Sequence, residues 1–309
     1  MGKLFLTYNN SDIQDGYFAQ LQRVFAIRAI AEKFHFSYLH SEIIDIVPTQ
    51  LDTFQSEREI ENFLHHANRK YSYLSDPCGD GFEKIIEISA PTLKQLVLLK
   101  AKSVLAKRSW LVRITIPYRI IEKSPDMYKY ATNLIETKST NFSFCEKLIV
   151  VHARRGIAVQ HLLPGEKNVR ILDDTYFMET IKKITNRASS ASKLNLIILT
   201  DAPENDTYYK PLHKDENAWQ QFDKFRTEQG ILIQGHKFQS IVENFEGTSS
   251  IVRGGDLNRA IDVIRMAGHF IMSRSSMSYV GALLKNEGNV YYPPNFWHKP
   301  LRNWIKIEG

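Results

Sequence analysis

Short apolar runs alternate with longer segments of helical periodicity along the whole chain. Lys3–Tyr8 and Trp110–Ile116 have the length and composition of strands, whereas the apolar residues of Gly16–Lys33 recur every three or four positions, as in a helix. Further elements predicted in the first half are strands at Phe36–Leu39 and Phe82–Ile88 and helices at Ser56–Tyr71, Pro91–Ala106 and Met127–Glu136. Pro91 is expected in the first turn of its helix, where the missing N–H costs nothing.

The pattern restarts in the second half. Lys147–Val151 is a nearly continuous apolar run, typical of a strand buried on both faces. The other elements predicted there are strands at Leu194–Thr200, Ile231–Gln234, His269–Met272 and Val290–Tyr292 and helices at Asp174–Asn186, Ala218–Glu228, Asp256–Ala267 and Ser276–Lys285. Alternating strands and helices imply parallel sheets. Two successive sets predict two α/β domains, residues 1–140 and 141–309, joined near Thr137–Ser143.

Composition narrows the class of protein. The chain has 309 residues, of which 43% are hydrophobic and 24% charged, which excludes disordered, collagenous and coiled-coil chains. Its two cysteines, Cys78 and Cys145, are too few for a disulfide scaffold or a four-cysteine zinc site. No apolar stretch approaches the roughly 20 residues of a membrane span. The apolar run at the start is too short for a signal peptide.

The net charge is basic, at +6. The lysines and arginines are scattered, without the dense block that would follow a phosphate backbone. A solvated basic surface, or a pocket for an anionic ligand, is therefore favoured over nucleic-acid binding.

Ligands of open α/β sheets bind beyond the carboxyl ends of the strands, and one predicted strand ends in a cationic sequence. Lys147–Val151 is followed by His152, Ala153, Arg154 and Arg155. Guanidinium groups bind phosphate bidentately and keep their charge when partly desolvated. The alternative is that one arginine caps a helix and the other is solvated.

Two further loops that lead from a strand into a helix carry candidate residues. In Ser273–Tyr279, Ser275 or Ser276 can cap the helix that follows, and a helix N-terminus also attracts anions. In the first domain, Gly16 permits close backbone approach before the first helix. Asp15 would lie at the mouth of a cleft between the domains, unless it is an ordinary charge at a helix N-terminus.

Several common signatures are missing from the chain. It contains no Gly-x-Gly-x-x-Gly, no Walker-type loop and no Gly-x-Ser-x-Gly elbow, so the usual dinucleotide, ATP and serine-hydrolase motifs are absent. It also contains no Asp-x-Asp, which argues against a transferase that holds Mg²⁺ or Mn²⁺ on a donor diphosphate.

Together these segments resemble the GDP-fucose-dependent fucosyltransferase superfamily, which includes the α1,2-, α1,6- and protein O-fucosyltransferases. The family's His-x-Arg-Arg motif is matched by His152–Arg155 and its Ser-Ser-φ-Ser segment by Ser275–Ser278. The Gly-Tyr-x-x-Gln-Leu start of the first helix in the α1,6 group is matched by Gly16–Leu21. Tyr292–Trp297 is similar to the closing Pro-x-x-Trp of the α1,2 group.

The resemblance implies an α/β fold of the GT-B type, in which two Rossmann-like domains face each other across a cleft. Residues 1–140 would then hold the acceptor, and residues 141–309 the nucleotide-sugar donor. The implied activity is a metal-independent, inverting glycosyl transfer of L-fucose from GDP-fucose to a glycan hydroxyl, without any cofactor. The alternatives are a GT-B enzyme for another nucleotide sugar and a non-catalytic relative that binds a glycan or nucleotide.

The resemblance also assigns donor-binding residues. Arg154 would hold the β-phosphate of the donor and contribute to catalysis, with His152 and Arg155 beside it. Ser275 and Ser276 would bind the diphosphate at their helix N-terminus. Upstream of Ser275, Asp262 resembles the family's guanine-binding aspartate.

The base that accepts the proton of the acceptor hydroxyl is assigned less directly. Asp15 is the first choice, since some O-fucosyltransferases have an acidic residue just before the glycine matched by Gly16. Glu166 is the second choice and His161 the third. Gly16 itself would lie against the donor.

Two residues depart from the family pattern. Ile157 stands where the family usually has an aspartate, and Ala19 where the α1,2 and O-fucosyl groups often have an asparagine. The expected partners are a nucleotide-sugar donor and a glycan acceptor, with no nucleic acid; the sequence names neither the acceptor sugar nor an oligomeric state. Without a membrane anchor, the chain is expected to be a cytoplasmic bacterial or viral enzyme or a soluble catalytic fragment.

Overall fold

The computed structural model of the chain describes residues 2–9, 16–41, 81–132, 143–154, 171–172, 174–187, 193–201, 220, 224, 242–243, 245–253 and 257–307. These residues form two compact units, one with the described residues up to 132 and one with those from 143 onward. The predicted domain boundary at residues 140 and 141 lies outside the described residues, so its position stays a prediction.

The first unit contains a four-stranded sheet. Its strands are β1 (Leu4–Tyr8), β2 (Ser37–Tyr38), β3 (Lys84–Ile88) and β4 (Trp110–Ile114). They lie in the order β2-β1-β4-β3, and every neighbouring pair is parallel. The two central strands bury Leu6, Leu111 and Val112 completely, as expected where helices cover both faces of a sheet.

Among the described helices of the first unit, two match the predicted helices Gly16–Lys33 and Pro91–Ala106, and the short helix Tyr118–Ile121 was not predicted. They are α1 (Tyr17–Phe34), α2 (Leu93–Leu105), α3 (Tyr118–Ile121) and α4 (Lys129–Thr132), with a 3₁₀ turn at Pro125–Tyr128. α1 is apolar on most of its circumference, and Leu21, Phe25 and Ile27 are fully buried. The predicted helix Met127–Glu136 corresponds to the end of the 3₁₀ turn and α4, and its last residues lie outside the described part of the chain.

A capping box starts α2. The Gln95 N–H donates to the Thr92 hydroxyl at 3.3 Å, and the Gln95 side chain accepts from the Thr92 N–H at 2.7 Å. Thr92 is therefore the N-cap. Pro91 precedes the cap, so the prediction that it lies in the first helical turn is wrong.

The second unit contains a six-stranded sheet. Its strands are β5 (Cys145–Ala153), β6 (Asn195–Thr200), β7 (Thr248–Arg253), β8 (Ala267–Ile271), β9 (Asn289–Tyr292) and β10 (Ile305–Lys306). The order is β10-β9-β8-β5-β6-β7, again with parallel neighbours throughout. Val151 of β5 lies opposite Ile271 of β8 and Ile198 of β6. The carboxyl ends of these three strands therefore lie side by side.

Three described helices pack in the second unit. They are α5 (Asp174–Thr185), α6 (Leu257–Met266) and α7 (Ser276–Leu283). α5 contributes Phe177 and Ile181 to a core shared with Ile149 and Val151 of β5. α7 lies against α6 at Gly281, where an added Cβ would approach the Ile264 Cδ1 atom to 2.9 Å. Glycine therefore permits the close approach of the two helices.

Three strand predictions in the second half need correction. The sequence pattern misses β7, an edge strand that begins with the polar residues Thr248, Ser249 and Ser250. It also misses β10, which has two residues, so Val290–Tyr292 is not the last strand. The strand predicted at Lys147–Val151 extends to Ala153 and therefore includes His152.

Other predicted elements lie outside the described residues. They are the helix Ser56–Tyr71, the strand Ile231–Gln234 and the helix Ala218–Glu228, apart from two helical residues of the last, 220 and 224. The α/β fold class, with one parallel sheet in each unit, is confirmed. Within the described ranges, no helix has the length and apolar character that crossing a bilayer requires.

Candidate functional site

The carboxyl ends of β8, β5 and β6 bring polar and charged residues to one edge of the second sheet. Arg154 follows β5, Asp201 follows β6, and Ser273 follows β8 after one residue. The Thr200 hydroxyl donates to the carbonyl oxygen of Ala153 at 2.6 Å, which ties the end of β6 to the end of β5. This edge is where a parallel sheet presents its ligand site.

His152, Ser273 and Ser278 form a hydrogen-bonded group at this edge, the serine–histidine cluster. The His152 Nδ1 atom lies 2.6 Å from the Ser278 hydroxyl and 3.4 Å from the Ser273 hydroxyl. The Ser273 N–H donates to the Ser278 hydroxyl at 3.1 Å. All three side chains are buried. Two strand ends and the first turn of α7 are thereby fixed to one another.

Burial holds the His152 imidazole in its neutral form. It lowers the pKa of His152 from 6.5 to about 4, since a charged ring would lose its hydration. The Asp201 carboxylate acts in the opposite direction, and the Arg154 guanidinium lowers the pKa further. The ring hydrogen bonds of His152 in the described structure are made at Nδ1. Nε2 makes none of these hydrogen bonds.

The N-terminus of α7 opens at the same edge. Ser275 is its N-cap, and its hydroxyl accepts from the Met277 N–H at 3.2 Å. The first-turn N–H groups of a helix lack intrahelical partners, and the helix dipole favours negative charge there. Ser275 thus caps the helix, as predicted, and Ser276 is the first helical residue and half-buried. Whether either serine binds a diphosphate stays a prediction.

Two arginines supply positive charge beside the cluster. Arg154 is half-buried directly after β5, and its charge acts on His152. The Arg274 Nε–H donates to the carbonyl oxygen of Pro294 at 2.8 Å, which fixes this side chain between the ends of β8 and β9. Burial raises the pKa of the Tyr176 hydroxyl well above its usual range, and the positive charge of Arg274 acts against that rise.

Sequence reasoning missed Asp201 and Arg274. Asp201 comes directly after a buried apolar strand, which is the same signal that drew attention to Arg154. Arg274 directly precedes Ser275 and Ser276, the two candidate caps of the following helix. Both residues can be picked out in the sequence. That Asp201 acts on His152, and Arg274 on Tyr176, follows only once the order of the strands is known.

Two other predicted residues lie within the described part of the chain, and their predicted roles stay predictions. Asp262 lies within α6, where it accepts from the Arg265 Nη1 atom at 3.5 Å. Gly16 is the N-cap of α1 in the first unit, with φ −63°. No described atom lies within 4 Å of a Cβ added at Gly16. Neither its backbone angle nor its described neighbours demand a glycine.

Asp15, Arg155 and Glu166 lie outside the described residues, as do His161 and Ile157. Their roles stay predictions. The described residues contain no group of three or more histidine, cysteine, aspartate or glutamate side chains arranged to hold a metal ion.

In the first unit, the described part of the Gly16–Leu21 motif serves internal packing. Gln20 is fully buried, and its side-chain oxygen accepts from the Tyr8 hydroxyl at 3.5 Å. The Arg23 Nη1 atom donates to the same hydroxyl at 3.4 Å. These contacts fix the start of α1 to the end of β1.

Comparisons with known proteins give only distant likenesses. No family model matches the chain, and no curated protein matches it. Among solved structures, POFUT1 in complex with GDP-fucose has a TM-score of 0.47 at 9% identity, covering 94% of this chain and 97% of that one. A second crystal form of that complex gives 0.46 at 9%, covering 99% and 97%. POFUT1 in complex with GDP gives 0.43 at 10%, covering 94% and 97%. Scores below 0.5 at this identity do not make the chain a member of that family.

Proposed function

We propose that the chain is a glycosyltransferase that binds a nucleoside-diphosphate sugar at the carboxyl edge of the second sheet. The observation that carries the proposal is the convergence of the serine–histidine cluster, the α7 N-terminus, Arg154 and Arg274 at that edge. Backbone N–H groups, hydroxyls and two guanidinium groups are the donors that a diphosphate requires.

The electrostatics of the edge suit a leaving diphosphate. Since His152 is neutral, the positive charge comes from Arg154 and Arg274, which stay protonated at all physiological pH values. Fixed donors of this kind stabilise the charge that develops on the leaving group without reorganising, and this contribution to catalysis is usually the largest. His152 would add one directed hydrogen bond from Nε2.

The proposed donor is GDP-fucose and the proposed acceptor a glycan hydroxyl, with inversion and without a metal. The acceptor oxygen would attack the anomeric carbon while the bond from that carbon to the diphosphate oxygen breaks. GDP would leave with the negative charge, and the hydroxyl proton would pass to a carboxylate. Asp15 is the proposed base and Glu166 the alternative, on the resemblance of the sequence motifs alone.

The first experiment measures nucleotide binding by calorimetry and thermal unfolding. GDP, UDP, CMP and dTDP are compared in EDTA and then with Mg²⁺. We expect GDP to bind in EDTA and to stabilise the protein by about 2.7 kcal/mol at a hundredfold excess over its dissociation constant. A preference for UDP or dTDP would leave the proposal of a glycosyltransferase intact but would indicate a UDP- or dTDP-sugar as the donor. No binding of any nucleotide would refute the proposal.

Arginine variants test the assigned edge. Arg154→Ala should weaken GDP binding by about 10- to 100-fold, the range expected for a charge-assisted hydrogen bond. Arg187→Ala is the matched control, because Arg187 is an exposed arginine of the same unit beyond the end of α5. Equal losses in both variants would show a general charge effect and contradict the assigned site.

Turnover separates an enzyme from a binding protein. GDP-fucose is incubated with a panel of glycan acceptors, and release of GDP is followed with wild-type protein and with Asp15→Asn and Glu166→Gln. We expect one of the two variants to lose turnover while it keeps GDP affinity. Tight GDP binding without release on any acceptor would indicate the non-catalytic relative.

A further inference from the structure

Helix α2 carries large apolar side chains on its solvent side. Val97 is 51% exposed, Leu98 54% and Leu105 82%. The buried residues of this helix, Leu96 and Ser103, lie two turns apart on the opposite side. A surface helix normally turns its apolar stripe toward the core, and adjoining exposed apolar residues mark an interaction site.

The spacing of these residues makes them one surface. Val97, Ala101 and Leu105 follow each other at intervals of four residues, and Leu98 lies beside them. Lys94 and Lys102 are exposed on the same side of the helix. We call these six residues the α2 outer face.

The charged residues of α2 and of the turn that follows it are all basic. Residues 93–108 contain five basic residues and no acidic residue. Two of the five are engaged: Lys100 donates to the carbonyl oxygens of Phe34 and His35, and Arg108 pairs with Glu83 at 2.9 Å. Among described residues, neither Lys94 nor Lys102 takes part in an ion pair.

The exposed apolar side chains and the lysines together indicate what kind of partner would bind the α2 outer face. A second copy would bring an identical basic face against this one, so that like charges would oppose the contact. The exposed apolar residues all lie on one side of a single helix, which needs no complementary groove when it enters the headgroup region of a bilayer. Exposed lysines beside such apolar residues attract anionic lipids. We propose that the α2 outer face docks the protein on an anionic lipid surface.

The inference does not rest on the proposed catalytic function, because none of the six residues of the face is assigned to the donor site or proposed as the base. Three large apolar residues and two lysines give weak, reversible attachment rather than permanent anchoring. Binding should therefore depend strongly on lipid charge and on salt.

The test uses the full chain in co-sedimentation with lipid vesicles. Vesicles of phosphatidylcholine are compared with vesicles that contain about 30% phosphatidylglycerol, at low and high salt. We expect at least about tenfold stronger partitioning to the anionic vesicles, lost at high salt. Equal partitioning to both vesicles, or none to either, would overturn the inference.

Two sets of variants locate the surface. Leu98→Gln with Leu105→Gln should reduce partitioning at least about tenfold, since both apolar side chains leave the interface. Lys94→Gln with Lys102→Gln should reduce it by about fivefold for each lysine. The matched controls are Val252→Gln for the apolar change and Lys147→Gln with Lys193→Gln for the charge, all exposed positions of the second unit.

Thermal unfolding of each variant establishes that it is folded. Full binding by both α2 variants, or equal losses in the controls, would contradict docking through this face. A wild-type dimer in solution that Leu98→Gln with Leu105→Gln converts to monomer would assign the face to a second copy instead.

Discussion

At the scale of single residues, two buried imidazoles are held neutral. The pKa of His152 is lowered to about 4, chiefly by burial. His40 in the first unit has its pKa lowered to about 4 as well, by burial and by the charge of Arg28. Its Nδ1 atom lies 3.0 Å from the Tyr38 hydroxyl. Both rings act as neutral hydrogen-bonding groups in the folded protein.

These lowered pKa values predict a loss of stability in acid. Because the folded pKa lies below the unfolded value, the unfolded chain binds the proton first as the pH falls. The contribution of each neutral histidine to the free energy of unfolding is complete above about pH 6.5 and is lost as the pH falls from there to about 4. His152→Asn removes one such group. Between pH 7 and pH 5, the free energy of unfolding of this variant should therefore fall by about 1–2 kcal/mol less than the free energy of unfolding of the wild type falls. Urea titrations at both pH values measure this, and an unchanged difference would contradict it.

The Ser278 hydroxyl should contribute strongly to stability. Ser278→Ala leaves the Ser273 N–H without its acceptor and removes the shortest hydrogen bond of His152. We expect a loss of about 1–3 kcal/mol in urea unfolding. Ser276→Ala is the control, two residues earlier on the same helix, and should change stability by less than about 0.5 kcal/mol. Similar effects of the two changes would argue against the cluster.

At the scale of elements, α2 and α7 begin alike and differ in what surrounds their first turns. Each has a hydroxyl N-cap, Thr92 or Ser275. Thr92 is half-buried, and the hydrogen bond that caps α2 is exposed. The α7 cap is buried at the end of β8, beside His152 and Arg274. The same type of N-cap therefore stabilises the start of α2 and, at the start of α7, also lies among the hydrogen-bond donors of the proposed site.

Removing each cap should separate stability from binding. Thr92→Ala and Ser275→Ala are each expected to cost about 1 kcal/mol of unfolding free energy. Only Ser275→Ala should also weaken GDP binding, by about three- to tenfold, because it loosens the first turn that faces the diphosphate. Unfolding and calorimetry on both variants test this. Equal GDP affinity in the two variants would show that the first turn of α7 does not contribute to GDP binding.

At the scale of the whole molecule, each unit has its own parallel sheet and core. The proposed donor site is built from the second unit, and the α2 outer face belongs to the first. A ligand that binds the folded state protects the parts that it contacts from local opening.

Hydrogen exchange on the full chain should therefore show where the nucleotide binds. With saturating GDP, we expect slower exchange in peptides that cover 145–154, 198–201 and 271–279, and unchanged exchange in α2. Anionic vesicles should give the reverse pattern. Slower exchange in α2 with GDP alone would contradict the separation of the two sites.

The sequence by itself determined most of the described elements. The apolar run before His152, the helical period of α1 and the serine cap of α7 are local patterns, and the hydrophobic effect acts on such patterns wherever the chain goes. They also indicated the two α/β sets and drew attention to Arg154 and Ser275. Short or polar edge strands such as β7 carry too few buried positions to leave a pattern.

The tertiary structure decided which of these residues meet. Strand order placed β5 between β8 and β6, and so brought His152 within 2.6 Å of Ser278, 126 residues away. Burial then set the neutral state of the imidazole, and Asp201 and Arg154 came close enough to act on it. Exposure of Leu105 in α2 was likewise decided by packing. Neighbouring strands and burial depend on contacts between distant parts of the chain, and a local pattern of residues does not encode them.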